Sequence, residues 1–191
     1  MKFAYADPPY LGTAKKLYGH MHPEAGVYDD PREHGRLIER LTSEFTDGWA
    51  LSMTSGNLIT LAPYMPEGVR VGSWVKPFAS FKPGVGVAYA WEPVVFYGGR
   101  RRTRTQPTVR DWCAVNITLR RGFTGAKPSA FVKWVLDVLN AEPSDEIVDL
   151  FPGSGAVTQA INEWRDARNG ECQIGMFAFD DCCHETMGEG V

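Results

Sequence analysis

The 191-residue chain lacks any apolar run that approaches the roughly 20 residues of a membrane-spanning helix. We also expect no signal peptide, because a predicted strand begins directly after Met1. We therefore expect a cytoplasmic protein that does not insert into a membrane. Hydrophobic residues make up 43% and charged residues 23% of the sequence, which is typical of a globular protein. The length predicts a single domain over residues 1–191 with a sizeable core.

Cysteine is scarce, with only Cys113, Cys172, Cys182 and Cys183. Disulfides are rare in the reducing cytoplasm, so we expect free thiols. The spacing of these cysteines, even with the neighbouring His184, matches no common zinc-binding pattern. The sequence therefore predicts no metal site.

The chain has no overall excess of positive charge, since its net charge is −3. Charge is nevertheless segregated along the sequence. Residues 98–126 contain seven arginines and one acidic residue (+6), whereas residues 141–191 contain eleven acidic and two basic residues (−9). The arginine-rich segment cannot form a core, and it is either a phosphate-binding loop or a solvated loop without a partner.

A strand, a glycine turn and a helix are predicted to meet at residues 149–155. The β-branched run 146–150 ends there, and residues 156–168 have the apolar spacing of a helix. Glycines allow close backbone approach to a ligand, and a helix N-terminus offers unpaired N–H groups. Ligands of open α/β sheets bind at such carboxyl ends of strands. The alternative is a tight connection with no ligand.

Two sequence motifs carry a resemblance to a known family. The turn resembles the D-x-F-x-G-S-G loop that binds S-adenosylmethionine in amino-methyltransferases. The matching residues are Asp149, Phe151, Gly153, Ser154 and Gly155. The string Asp7-Pro8-Pro9-Tyr10, which follows the predicted strand 2–6, is similar to the D-P-P-Y/W catalytic loop of enzymes that methylate exocyclic amines of bases. The catalytic loop preceding the cofactor loop is the permuted order of the β-class DNA methyltransferases and the related MT-A70 family.

The resemblance implies methyl transfer from S-adenosylmethionine to the exocyclic amine of a DNA base, with adenine N6 as the first choice. The Asp7 carboxylate and the Pro8 carbonyl would accept the two amine hydrogens on a backbone stiffened by Pro9. Tyr10 would stack on a base flipped out of the duplex. The alternatives are adenine N6 of RNA, cytosine N4 of DNA, and a non-catalytic nucleic-acid-binding subunit; either a homodimer or a heterodimer is compatible with them.

The resemblance also suggests roles for residues outside the two motifs. Lys127, in a Lys-Pro that opens a predicted helix, would either lie near the methionine carboxylate of the cofactor or be a lysine at a helix start with no ligand. Asp180, after a strand predicted over residues 172–179, would hold the ribose hydroxyls. Trp91 and Glu92 either line the base pocket or cap a hairpin. Residues 98–126 would form a short target-recognition loop, with nucleic-acid contacts from Arg100, Arg101, Arg102 and Arg104.

The predicted fold is a doubly wound α/β sheet, mostly parallel with one antiparallel strand over residues 94–97. This is a Rossmann-like methyltransferase fold in permuted order. A helix capped by Asp30 is predicted to bury an apolar stripe of Leu37, Ile38, Leu41 and Phe45. A second helix is predicted to be capped by Ser55 and to carry the apolar residues Leu58, Ile59, Leu61 and Ala62. A third helix, which Lys127-Pro128 opens, has the stripe Phe131, Trp134, Val135, Val138 and Leu139. We expect residues 11–29 to form a loop and residues 181–191 a flexible tail.

Overall fold

The computed structural model describes residues 1–20, 22–78, 84–118 and 126–180, and for residues 171–180 it describes the backbone alone. The strands in these ranges are β1 (Lys2–Ala6), β2 (Gly48–Ser52), β3 (Arg70–Val75), β4 (Trp91–Gly98), β5 (Trp112–Ala114) and β6 (Glu146–Asp149). The α-helices are α1 (Ala14–Tyr18), α2 (Pro31–Glu44), α3 (Ser55–Leu61), α4 (Ser129–Leu139) and α5 (Ala156–Asp180). None of the helices in these ranges is long and apolar enough to cross a bilayer.

The strands form one sheet in the order β5-β3-β4-β2-β1-β6. Strand β1 is parallel to both β2 and β6, and β3 is parallel to β5. Strand β4 is antiparallel to both of its neighbours, β2 and β3. The prediction of a mostly parallel sheet with one reversed strand is thus confirmed.

Helices cover both faces of the sheet because residues along each strand alternate between two cores. On one face, Phe3 and Tyr5 of β1 pack with the apolar residues of α4 and α5. On the other face, Ala4 and Ala6 pack with α2 and α3. Burial on both faces is the pattern of a doubly wound sheet, as predicted.

Local sequence signals explain where the main helices begin and end. Asp30 caps α2 as predicted, and its carboxylate accepts a hydrogen bond of 2.9 Å from the Arg32 N–H. Helix α4 ends at Asn140, whose left-handed φ of 54° provides the C-cap. The predicted apolar stripes of both helices are buried or partly buried.

Three local predictions are wrong. Residues 11–29 contain α1 and a 3-10 helix over Pro23–Asp29 rather than only a loop. Helix α3 is capped by Thr54 instead of Ser55, and Ile59, one of its four predicted apolar residues, is 80% exposed. The strand predicted over residues 172–179 is the continuation of α5, because no proline interrupts the helix and a short apolar run suits either structure. The predicted tail, residues 181–191, lies outside the described residues.

Candidate active site

The two motif loops follow neighbouring parallel strands. Tyr5 of β1 is in register with Asp149 of β6, and the Leu150 N–H donates a 3.0 Å hydrogen bond to the Tyr5 carbonyl. Asp7 is two residues beyond Tyr5, and the glycine turn begins just after Asp149. The two loops therefore lie side by side at the carboxyl edge of the sheet, where α/β folds bind their ligands.

Lys127 connects the Asp7 loop to the rest of this edge. Its ammonium lies 3.0 Å from Asp7 Oδ1, 3.2 Å from Glu92 Oε2 and 2.7 Å from the Tyr10 hydroxyl. The side chain of Lys127 is only 4% exposed. Lys76, which follows β3, forms a second ion pair with Glu92. One reversed strand makes this cluster possible, because β4 begins at the edge where β1 and β3 end.

The ionisation states in this cluster follow from burial and charge. Burial disfavours the charged form of Lys127, but the carboxylates of Asp7 and Glu92 outweigh it and raise the pKa of the ammonium. Burial also raises the pKa of Asp7, and Lys127 lowers it only in part. For Glu92, Lys127 and Lys76 together overcome burial and lower the pKa. The two carboxylates beside Lys127 therefore differ in basicity: the pKa of Asp7 is raised and that of Glu92 is lowered.

Two tyrosines complete the wall beside Asp7. The Tyr10 hydroxyl donates to Asp7 Oδ1 at 3.1 Å and lies 3.0 Å from Glu92 Oε2. The Tyr5 hydroxyl shares a 2.8 Å hydrogen bond with Ser52 Oγ. Burial, together with the nearby carboxylate of Asp7, raises the pKa of both phenols well above the ordinary value. Both hydroxyls are therefore protonated at neutral pH and can donate.

The glycine turn has the backbone conformation that its sequence predicts. Gly153 and Gly155 have φ values of +45° and +75°, a region that favours glycine. The Asp149 carboxylate accepts hydrogen bonds from the Phe151 N–H at 3.2 Å and the Thr158 hydroxyl at 3.0 Å. Burial raises the pKa of Asp149, and these two bonds lower it in part.

Ser154 is exposed at the tip of the turn, and Phe151 packs edge-on against Tyr28 with ring centroids 5.5 Å apart. A small cavity lies between Lys127 and the first residues of α5. It has a volume of about 100 Å³ and is lined by residues that include Lys127, Ser129 and the first residues of α5, Ala156 and Gln159. Lys127 therefore reaches the start of α5 on one side and Asp7 on the other. The ion pairs with Asp7 and Glu92 were not foreseen from the sequence, and neither was the part played by Lys76.

The four arginines predicted to contact nucleic acid lie at the opposite end of the sheet, because β4 runs away from the Asp7 edge and ends at Gly98. Residues 119–125 of the predicted recognition loop lie outside the described residues. Arg100 is held by Asp145, with Nη2 2.6 Å and 2.8 Å from the two carboxylate oxygens. Arg102 donates to the carbonyls of Asp137 and Pro107. Arg101 and Arg104 are exposed. The structure thus does not bring these arginines together with Asp7.

Asp180 is the last residue of α5, so it does not follow a strand as predicted. Strand β6 has one neighbour, β1, within the described part of the chain. The strand-end position from which Asp180 was expected to reach the ribose is therefore absent from these residues.

The sheet order, the reversed β4 and the helices on both faces define a Rossmann-like methyltransferase fold. The structure is similar to the crystal structure of the M1.HpyAVI–SAM complex, with a TM-score of 0.53 and 13% identity over 85% of this chain and 78% of that one. It is also similar to the crystal structure of M1.HpyAVI, with a TM-score of 0.50 and 12% identity over 86% and 76% of the two chains. No protein-family model and no curated protein matches the sequence.

Proposed function

We propose that this chain transfers a methyl group from S-adenosylmethionine (SAM) to the exocyclic amine of a DNA base, adenine N6. The observation that carries the proposal is the pairing of β1 with β6, which sets the Asp7 loop beside the Gly153 turn. A methyl donor on one loop and an amine on the other would then be neighbours. One similar structure was solved as a SAM complex, which supports the choice of donor.

Asp7 and Pro8 are the proposed acceptors for the two hydrogens of the amine. An aromatic amine is a poor nucleophile because its lone pair is shared with the ring. Hydrogen bonds to the Asp7 carboxylate and the Pro8 carbonyl favour the pyramidal nitrogen that can attack a methyl group. Pro8 and Pro9 fix the backbone that presents both acceptors. The Tyr10 ring is the proposed surface on which the base stacks.

Lys127 is the proposed positioning residue for Asp7. Its ammonium, 3.0 Å from Asp7 Oδ1, fixes the carboxylate and favours the ionised form that accepts hydrogens. Burial keeps the pKa of Asp7 above that of an exposed aspartate, which makes the carboxylate a stronger proton acceptor. The amine must lose one proton after methylation, and Asp7 is placed to receive it.

The residues of the glycine turn suit the amino-acid end of SAM. The positive φ values of Gly153 and Gly155 bring bare backbone to the start of α5, where N–H groups can face the methionine carboxylate. Asp149, at the end of β6, is the proposed acceptor for the methionine ammonium. When bound, SAM supplies an electrophilic methyl group on a sulfonium. Asp180, the acid predicted to hold the ribose, lies at the end of helix α5 instead of after a strand.

The proposal is tested by measuring SAM binding by calorimetry and then methyl transfer from tritiated SAM to DNA. We expect Asp7→Asn to retain SAM binding and to lose methyl transfer. Asp166→Asn is the matched control, because Asp166 is an exposed aspartate on α5. Methyl transfer to RNA tests adenine N6 of RNA as the substrate. Methyl transfer to DNA that contains cytosine but no adenine tests cytosine N4. A chain that binds nucleic acid without binding SAM would instead be a non-catalytic subunit.

A further inference from the structure

A cavity of about 320 Å³ lies at the end of the sheet away from Asp7. Its apolar floor is formed by Phe96 of β4, Val138 of α4 and Val109 of the segment before β5. Its polar wall comes from four arginines, with hydroxyl and amide groups beside them: Arg70, Arg102, Arg104, Arg110, Thr103, Thr108 and Gln106. Arg70 is more than 20 residues away in sequence from the other three arginines, so the cluster is not visible in the charge pattern. We call this site the arginine cavity.

The arginine cavity has a large excess of positive charge. Asp111 is the single carboxylate among its lining residues, against four guanidinium groups. None of the four forms an ion pair with any carboxylate of the described residues. Clustered guanidinium groups repel one another, and a bound anion relieves that repulsion. Guanidinium forks also match phosphate oxygens in geometry.

Hydrogen bonds hold the wall of the arginine cavity in place, and because their acceptors are uncharged they do not neutralise the arginines. Arg102 donates to two backbone carbonyls, those of Pro107 and Asp137. The Gln106 side-chain amide pairs with that of Asn140, with contacts of 3.3 Å and 3.2 Å. Asn140 is the C-cap of α4, so the loop is braced against a helix end. A braced site loses less entropy when it binds a ligand than a mobile loop does.

The cavity is separate from the candidate active site. Arg70 starts β3 and Lys76 follows its end, so about 20 Å of strand separates the cavity from the ion pairs around Glu92. A base held at Asp7 therefore cannot occupy the cavity at the same time. The volume lies at the lower end of the range for small-ligand sites, which suits one nucleotide unit.

We infer that the arginine cavity binds the phosphate of a nucleotide unit, with the sugar or base against the floor formed by Phe96, Val109 and Val138. The phosphate can belong to a free nucleotide or to a nucleic-acid strand. The inference does not rest on methyl transfer, since phosphate binding is measurable whether or not the chain binds SAM.

The test uses the full chain, with adenosine monophosphate, adenosine and a fluorescein-labelled single-stranded oligonucleotide as probes. We expect the monophosphate or the oligonucleotide to bind and adenosine not to bind. Arg70→Gln is the decisive variant because Arg70 is exposed, forms no hydrogen bond through its side chain within the described residues and lies outside the arginine-rich segment. Arg104→Gln is the second variant.

Each substitution should weaken binding about tenfold, the loss expected for a charged hydrogen bond. Each should also reduce the salt dependence of oligonucleotide binding by about one unit of slope. If the two variants lose binding of the monophosphate, the phosphate in the cavity belongs to a free nucleotide. If they lose only binding of the oligonucleotide, the phosphate belongs to a nucleic-acid strand. Arg40→Gln, which removes one arginine charge from α2, is the charge-matched control. If Arg70→Gln and Arg104→Gln change neither probe more than this control does, the inference is wrong.

Discussion

Lys127 Nζ lies 3.0 Å from Asp7 Oδ1 and 3.2 Å from Glu92 Oε2, so one buried ammonium joins carboxylates at the ends of two strands that are not neighbours. Strand β2 separates β1 from β4 in the sheet. The cluster therefore ties together the edge that carries the Asp7 loop, in addition to setting the charge of Asp7. Its two roles, in stability and in ionisation, can be measured separately.

Replacing Lys127 with methionine should destabilise the fold by about 3 kcal/mol, because two buried carboxylates lose their shared cation. The side chains of Asp7 and Glu92 are 20% and 16% exposed, so water screens the loss only partly. Urea denaturation at pH 7 measures the change. Lys133→Met, at an exposed position on α4, is the control and should change the stability little. Equal effects of the two substitutions would contradict a structural role for the cluster.

The pH dependence of methyl transfer should report the ionisation of Asp7. Because burial raises the pKa of Asp7, we expect activity to fall on acidification at a pH above the usual aspartate range of about 4. Lys127 lowers this pKa, so Lys127→Met should move the acid limb of the pH–activity profile to higher pH. Glu92 raises it, so Glu92→Gln should move the limb to lower pH.

The measurement is kcat/KM between pH 4.5 and 8, with the stability of each variant checked at every pH. Glu39→Gln, an exposed residue on α2, is the control for loss of one carboxylate. Shifts in the same direction for Lys127→Met and Glu92→Gln would show that the limb does not report Asp7.

Local patterns predicted most of the fold and both motif loops, because their signals lie within short stretches of sequence. The strand before Asp7, the turn at Gly153, the Asp30 cap of α2 and the apolar stripes of α2 and α4 all belong to this class. The partners of Lys127 could not be predicted in this way. They depend on which strands become neighbours, and Asp7 is 120 residues away from Lys127.

The same limit explains why the contacts of the arginine-rich segment and the helical structure of residues 172–179 were not predicted. The sequence gives no sign that Arg100 pairs with Asp145 or that Arg70 joins the arginine cavity. The apolar run 172–179 carries no periodicity strong enough to separate strand from helix, and its predicted role for Asp180 depended on that choice.

Arg100 should act mainly on stability. Its partner Asp145 is 2% exposed and is also bound by the N-terminal ammonium at 2.7 Å. Arg100→Gln should therefore cost about 3 kcal/mol at pH 7, and Arg101→Gln, at an exposed neighbour, should cost little. A phosphate contact by Arg100 would instead lower the salt slope of nucleic-acid binding by about one unit.

The cost of Arg100→Gln should also depend on pH. Burial alone would raise the pKa of Asp145, but hydrogen bonds from the N-terminus and Arg100 outweigh it and lower the pKa. A lowered pKa contributes stability above the unfolded value of about 3.9, and the contribution disappears as the pH falls through the folded value. The difference between wild type and Arg100→Gln should therefore shrink below about pH 4. A difference that is constant with pH would exclude the ion pair as its cause.

Two glycines with similar positive φ values should respond differently to replacement by alanine. At Gly155, φ is +75° and a Cβ atom would meet nothing within 4 Å, so Gly155→Ala carries only the backbone penalty of about 1 kcal/mol. At Gly98, φ is +65° and a Cβ atom would lie 2.8 Å from the Asp47 carbonyl oxygen and 2.9 Å from Gly48 Cα. Gly98→Ala must therefore move backbone as well, and we expect a cost of at least about 2 kcal/mol. Chemical denaturation of the two variants compares them directly, and a larger loss for Gly155→Ala would mean that the turn before α5 is more tightly packed than its surroundings indicate.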